Sequence, residues 1–336
     1  MKTQVCFTVD IEFDIAGTFS DPVRHQPVAE QSVLCDIEGK SYGLGFLLET
    51  FKQYDVSATF FLESLNTLYF GDGPMGEIAR RISQAGHDIQ LHLHPCWTYF
   101  RQPQWRDLLR RYPPNDSMIG RTQQEIEDLI ETGMQAFSRW ALPRPVAVRA
   151  GGLLADHTVY AAMANRGLLV ASNIGLAIYR PAHSGLHFYI GRHRIHGVTE
   201  IPVLTYSRIN VAGHSYEKTL TVTGTSWKET ESLLWMAHRH GIGPVVILTH
   251  THEYVKFGNG ERPDTMRPNR VNRERLTALC DFLVRHRDVF EVVTFAGCAE
   301  EWMAEEDTGN PRFSVSLMDA SRGLIENKLN DVIPWY

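Results

Sequence analysis

Short apolar or β-branched runs alternate with longer segments of helical periodicity along most of the chain. The runs at Val5 to Val9, Ser57 to Phe61, Asp88 to His92, Val146 to Arg149, Leu168 to Ser172, Thr199 to Val203, Val245 to Thr249 and Glu291 to Thr294 read as strands. Helical patterns fall between them, near Tyr42 to Gln53, Met75 to Ala85, Thr122 to Ala141, His157 to Asn165, Trp227 to His240, Asn272 to Arg287 and Gly297 to Ala304. Strand-helix alternation of this kind predicts an α/β fold, with a parallel sheet curled into a barrel or something close to one. No internal repeat or low-complexity linker divides the chain. A single unit over residues 1–306 is expected, followed at 307–336 by a tail packed on it or on a second subunit. The stretches Ser20 to Lys40, Cys96 to Gly120, Arg180 to Gly197, Tyr206 to Gly224 and Tyr254 to Val271 read as irregular, and long loops in such folds often carry function.

Composition narrows the classes. The 336 residues include 33 Lys and Arg against 39 Asp and Glu, a net charge of −6, which argues against a nucleic-acid binder with its basic footprint. The first ten residues reach Asp10 before any signal-peptide apolar stretch, and no run approaches the roughly 20 apolar residues of a membrane span. Five widely spaced cysteines without a Cys-x-x-Cys pair suit reduced thiols, so the expected location is cytoplasmic.

Active sites of parallel α/β folds gather at the carboxyl ends of the strands. Four strand ends are polar here in a coordinated way. The first strand runs into Asp10-Ile11-Glu12-Phe13-Asp14, where period two places the carboxylates on one side. Grouped carboxylates need a cation, a proton or a basic group nearby, or else they are a solvated turn. His92-Leu93-His94-Pro95 ends the third strand, and its His-x-His spacing lets two imidazoles converge on one metal, with zinc or another divalent transition ion the best match to mixed His and carboxylate donors. His250-Thr251-His252-Glu253 follows the seventh strand, and His250 could ligate, orient or donate a proton there. Arg149 in Val148-Arg149-Ala150-Gly151-Gly152 could pair with Asp10 or Glu12 and hold it as an oriented base, although a plain structural ion pair fits that feature equally well.

The ordered motifs Thr8-Val9-Asp10-Ile11-Glu12, Ala58-Thr59-Phe60-Phe61, Gly86-His87-Asp88-Ile89-Gln90-Leu91-His92, Val148-Arg149-Ala150-Gly151-Gly152 and Ile247-Leu248-Thr249-His250 resemble those of the polysaccharide deacetylases, the NodB-homology superfamily or carbohydrate esterase family 4. The resemblance covers roughly Val5 to Trp302. It implies a distorted seven- or eight-stranded β/α barrel with a divalent metal at its mouth. It also implies Asp10 as catalytic base, Arg149 as the arginine orienting it, His250 as general acid, and Glu12 and His92 as metal ligands. Three departures stand out. Glu12 replaces the usual aspartate and stands one residue further on; the position four after His92, normally the second histidine ligand, is Cys96; and Ala171-Ser172-Asn173 lacks the acid often found there. His94 is the expected third ligand, since Pro95 disfavours the helix that would present the i+4 residue, with the Cys96 thiolate or a depleted metal site the alternatives. Divergence of this kind resembles superfamily members linked to surface-polysaccharide or lipopolysaccharide biosynthesis.

The expected reaction is metal-dependent hydrolysis of a linear amide, releasing an acetyl or formyl group from an amino sugar. Trp97, Gly151 and His252 are the expected substrate contacts. Aromatic-basic loops containing Trp97, Tyr99, Phe100, Trp105, Arg101, Arg106, Arg110 and Arg111, and Tyr254, Lys256, Phe257, Arg262, Arg267 and Arg270, favour an anionic, nucleotide-linked or lipid-linked sugar. The competing classes are a non-catalytic carbohydrate-binding descendant and an amidohydrolase of a small non-sugar amide. Asp10, Arg149 and His250 together argue against the first, because binding alone needs no base, orienter and acid.

Overall fold

The computed structural model describes residues 2–211, 214–257 and 266–333. Its main sheet is built from β1 (Thr3–Ile11), β2 (Thr59–Glu63), β3 (Asp88–Leu93), β4 (Ala147–Ala150), β5 (Val170–Ala171), β6 (His193–Ile195), β7 (Val198–Glu200), β10 (Val245–His250) and β11 (Phe290–Val292). The hairpin strands β8 (Thr205–Val211) and β9 (His214–Thr219) form a separate antiparallel pair. The sheet order is β10-β1-β2-β3-β4-β5-β7-β6, with β11 added beside the start of β1. All pairings are parallel except β6 with β7. Single parallel bridges from Val203 to Val246 and from Thr221 to Leu248 bring the far end of the sheet back toward β10. The result is a curled half-barrel rather than a regularly closed ring.

All eight strands expected from sequence are present, shorter than expected at β5 and β7 and longer at β1. The longer helices are α1 (Leu44–Tyr54), α2 (Gly73–Gln84), α3 (Gln123–Arg139), α4 (His157–Asn165), α5 (Trp227–Arg239), α6 (Arg270–Arg285), α7 (Phe295–Ala304) and α8 (Leu317–Val332). Reciprocal caps start two of them: Thr122 with Glu125 at α3 and Ser226 with Glu229 at α5.

Two expectations about irregular segments are corrected. Cys96 to Gly120 contains short helices at Trp97–Phe100 and Trp105–Arg111, because Trp97, Phe100, Trp105 and Leu109 bury their side chains and so order the backbone. Tyr206 to Gly224 holds most of the β8-β9 hairpin, whose cross-strand bonds no local pattern announced. The tail contains α8, which lies against the rest of this chain through Arg275 with Glu326, Asn327 with the Gly224 carbonyl, and Asn330 with Asn272.

Period two explains how the sheet sorts its residues. In β1, Val5, Phe7, Val9 and Ile11 face the large core shared with the helices, while Cys6 joins Phe61, Ala147, Val246, Leu248, Phe295 and Trp302 inside the curl. The inward rows then continue toward the strand ends as Thr8 and Asp10, Glu63, His92, Arg149 and His250. Apolar residues and α7 fill one end of the curl, and the polar continuations of the same rows assemble at the other.

Candidate active site

Register fixes the assembly. Asp10 pairs with His250 on one side and with Phe61 on the other; Glu63 pairs with His92, and His92 with Arg149. Neighbouring parallel strands therefore bring residues from distant parts of the chain to one level.

Arg149 is fully buried and donates from Nη1 to Asp10 Oδ1 at 2.6 Å and to Thr8 Oγ1 at 3.1 Å. Its Nε and Nη2 donate to the carbonyl and hydroxyl of Ser172 at 3.1 and 2.8 Å, and its guanidinium lies over the Phe61 ring at 4.1 Å. The Ser172-Asn173 segment, notable in the sequence for lacking an acid, thus holds the arginine: Asn173 Oδ1 also accepts from Ala150 N at 2.7 Å. Behind it, Glu200 accepts from the Asn173 and Ile174 amides and from the Tyr160 hydroxyl. Burial, against these donors, raises the Glu200 carboxyl to about 7.

Glu12, His92 and His94 place their ligand atoms within 4.8 Å of one another. Glu12 Oε1 lies 2.7 Å from His92 Nε2 and 3.0 Å from His94 Nε2. The other ring nitrogens are anchored. His92 Nδ1 donates to the Arg149 carbonyl at 2.8 Å, and His94 Nδ1 pairs with Asp116 Oδ2 at 2.5 Å. A carbonyl can only accept, so Nδ1 of His92 carries a proton and Nε2 is the nitrogen turned to the Glu12 carboxylate. Two imidazole nitrogens converging on one carboxylate oxygen repel unless a proton or cation lies among them. Without an ion, His94 takes the proton: burial pushes it down, but Glu12 and Asp116 hold it well above its ordinary value. Glu12 conversely is pushed up by burial and pulled well below the usual carboxylate range by His94 and His92. One carboxylate, two histidines and a carboxylate behind one of them are a donor set that fits a divalent ion of the zinc class.

Cys96 is placed differently. Its sulfur groups with His94 and Asp116, not with Glu12 and His92, and burial followed by the Asp116 charge pushes its thiol well above the ordinary value. His250 Nε2 faces Asp10 Oδ2 at 3.9 Å, and its Nδ1 lies 3.2 Å from Glu253 Oε1. Glu253 Oε2 also accepts from the His250 amide at 3.0 Å and the Thr249 hydroxyl at 2.9 Å. Burial lowers the His250 pKa, but Glu253, then Glu12 and Asp10, raise it to about 9.

The expected substrate contacts fare unevenly. Trp97 is 1% exposed, enclosed by Phe70 and Phe100, so as a substrate contact it is corrected: no face of its ring is open. Gly151 is buried, and a Cβ there would lie 2.5 Å from the His94 ring, so the glycine makes room for that histidine rather than for a ligand. His252 is exposed, 5.3 Å ring to ring from His250. The basic loops are less available than their composition implied. Arg110 pairs with Asp107, Arg270 with Glu274, and Lys256 donates to the carbonyls of Asn330 and Ile333. Arg262 lies outside the described residues.

Sequence reasoning missed three carboxylates. Glu253 had a local signal, three residues after His250 where a strand meets a helical turn, the spacing of a capping box. Glu63, fully buried, accepts from the Leu65 and Asn66 amides and, at 3.3 Å, from that of His94. Asp116 sits in a turn-like Pro-Pro-Asn-Asp stretch 22 residues from His94, where nothing local signals a partner.

No family model and no curated protein matches the sequence. Among solved structures, the chain is similar to one from Mycobacterium smegmatis provisionally named a polysaccharide deacetylase, with TM-score 0.51, 18% identity, and 94% of this chain and 96% of that one covered. A family 4 carbohydrate esterase from Streptomyces lividans gives TM-score 0.41 at 12% identity, covering 86% and 91%. A family 4 pseudoenzyme from Bacillus anthracis gives 0.42 at 13%, covering 94% and 70%. The fold rests on the first of these: it is the curled α/β half-barrel of the polysaccharide deacetylases, as the sequence motifs implied.

Proposed function

We propose that the protein is a metal-dependent amide hydrolase that removes an acetyl or formyl group from an amino sugar. The observation that carries this reading is the buried Arg149–Asp10 pair, set between the Glu12, His92 and His94 donors and His250. A binding module has no use for a carboxylate paired so tightly beside an imidazole.

Glu12, His92 and His94 would hold the ion. When bound, a divalent ion polarises an amide carbonyl and acidifies a water molecule. Asp10, aimed by Arg149, accepts the proton from that water. His250, oriented by its bond to Glu253, hands a proton to the departing amine, which otherwise is a poor leaving group. Asp116 fixes the His94 ring with Nε2 toward Glu12. The chain's own residues thus divide removal and delivery of the proton between opposite neighbours of one strand pair.

Zinc is the ion of choice for this donor set. The sugar is read as one carried on a nucleotide or lipid and used in surface-polysaccharide or lipopolysaccharide assembly in the cytoplasm. No described helix is long and apolar enough to cross a membrane. The test is direct: zinc-loaded protein is incubated with N-acetyl and N-formyl amino sugars, free and nucleotide-linked, and released acid and free amine are measured. Folded, metal-loaded protein that releases neither from any of them overturns the reading.

A further inference from the structure

Three histidines away from the candidate active site converge from three segments. His157 is the first residue of α4, His183 lies in the loop before β6, and His196 sits in the turn joining β6 to β7. His157 Nδ1 is 3.1 Å from His196 Nε2. The His157 ring meets His183 edge-on at 4.6 Å and His196 edge-on at 5.1 Å.

Local structure accounts for how the rings are held. His196 and Gly197 have φ of 49° and 82°, the left-handed pair that a two-residue hairpin turn requires, and histidine tolerates that region better than most residues. At α4 the helix is capped by Asp156, whose Oδ1 accepts from the Thr158 and Val159 amides and so is occupied by the backbone. Among the described residues no ion pair involves any of the three histidines.

Burial and charge bear on the form of the His157 ring. Burial, then His183 and His196, lower the His157 pKa, with only Asp156 opposing. That direction favours the neutral His157 ring, and the neutral ring is the form that ligates metal. Two nitrogens bound to one ion at about 2.0 to 2.1 Å stand roughly 2.9 to 3.4 Å apart, depending on the angle between the bonds. The His157–His196 separation falls inside that range. His183 Nδ1 accepts from Gly185 N at 3.1 Å, which leaves Nε2 as the nitrogen to complete the set, and the exposed ring has to turn to bring it to the other two.

We propose that His157, His196 and His183 form a surface site for a divalent transition ion of the zinc class, separate from the Glu12, His92 and His94 cluster. An ion there ties the start of α4, the loop carrying His183 and the β6-β7 turn into one unit. The role is a structural clip, because the three rings sit on three separate segments that an ion would join.

Chelator-stripped full-length protein is titrated calorimetrically with zinc, and its melting temperature is followed with and without the ion. The Glu12→Ala/His92→Ala variant isolates the histidine trio from the other cluster. It is expected to take up one zinc per chain and to melt at a higher temperature with zinc present. Adding His157→Ala or His196→Ala abolishes both effects, adding His183→Ala weakens binding, and adding His240→Ala, an exposed histidine elsewhere, changes neither. In the otherwise unaltered chain, His196→Ala lowers the zinc count by one, whatever the other cluster binds, which covers the case of a double variant that does not fold. No loss of zinc on changing His157 and His196, or unaltered affinity without His183, overturns the proposal and leaves a hydrogen-bonded pair only.

Discussion

Arg149 Nη1 approaches Asp10 Oδ1 to 2.6 Å with the side chains 0% and 5% exposed, a buried ion pair inside the curl of the sheet. Its strength is also a liability, since removing one partner strands the other in a place water does not reach. Arg149→Met is expected to cost about 3 to 5 kcal/mol of stability. Urea denaturation checks this, and adding Asp10→Asn should recover part of the loss. Equal stability of Arg149→Met and the unaltered chain contradicts the pairing as described.

The two alternatives for the third ligand separate by metal content. Asp116→Asn, which leaves His94 without its charged partner, should weaken zinc binding about 10- to 100-fold, and His94→Ala by at least as much. Cys96→Ser should leave affinity unchanged, because Cys96 sulfur groups with His94 and Asp116 rather than with Glu12. Zinc lost with Cys96 and kept without His94 reverses the ligand choice.

In the metal-free protein the His250 imidazole should titrate near 9, raised by Glu253 against burial, while Glu253 is held at about 2 chiefly by His250, again against burial. The sign for stability follows from each direction. The histidine's contribution is full below its unfolded value of about 6.5 and is lost as pH rises through 9. The glutamate's is full above its unfolded value of about 4.3 and is lost as pH falls through 2. Glu253→Gln should bring the His250 titration, followed by NMR, toward lower pH; an unmoved midpoint excludes the coupling.

His250→Ala should reduce turnover by roughly 100- to 10,000-fold with zinc content intact, the usual effect of losing an acid-base group. His252→Ala is the control, an exposed neighbour with no bond to Asp10. Near-normal turnover without His250 and loss without His252 transfers the acid role to His252; if neither change matters, this mechanism fails.

His87 supplies a pH dependence unrelated to the site. Its Nδ1 accepts from Ala58 N at 3.3 Å, its ring rests on Phe51 and Phe60, and burial lowers its pKa to about 4. Because the folded chain refuses a proton that the unfolded chain takes near 6.5, stability should fall as pH drops from about 6.5 to 4 and level off below. His87→Leu, although it orphans the Ala58 amide, should flatten that slope in pH-dependent melting.

Period-two burial and strand termination are local properties, so the strands, their inward and outward faces and the polar character of their carboxyl ends can be read from the order of residues alone. Asp10, Glu12, His92, His94, Arg149 and His250 were legible for that reason. Tertiary structure decided everything that depends on which strands are neighbours: that Arg149 takes Asp10 rather than Glu12, that Glu12 Oε1 faces both imidazoles, and that Ser172 and Asn173 serve the arginine. It also moved Trp97 into the core and brought Asp116 to His94, since aromatic burial and a contact 22 residues away depend on how helices pack over the sheet, and no spacing along the chain encodes that distance.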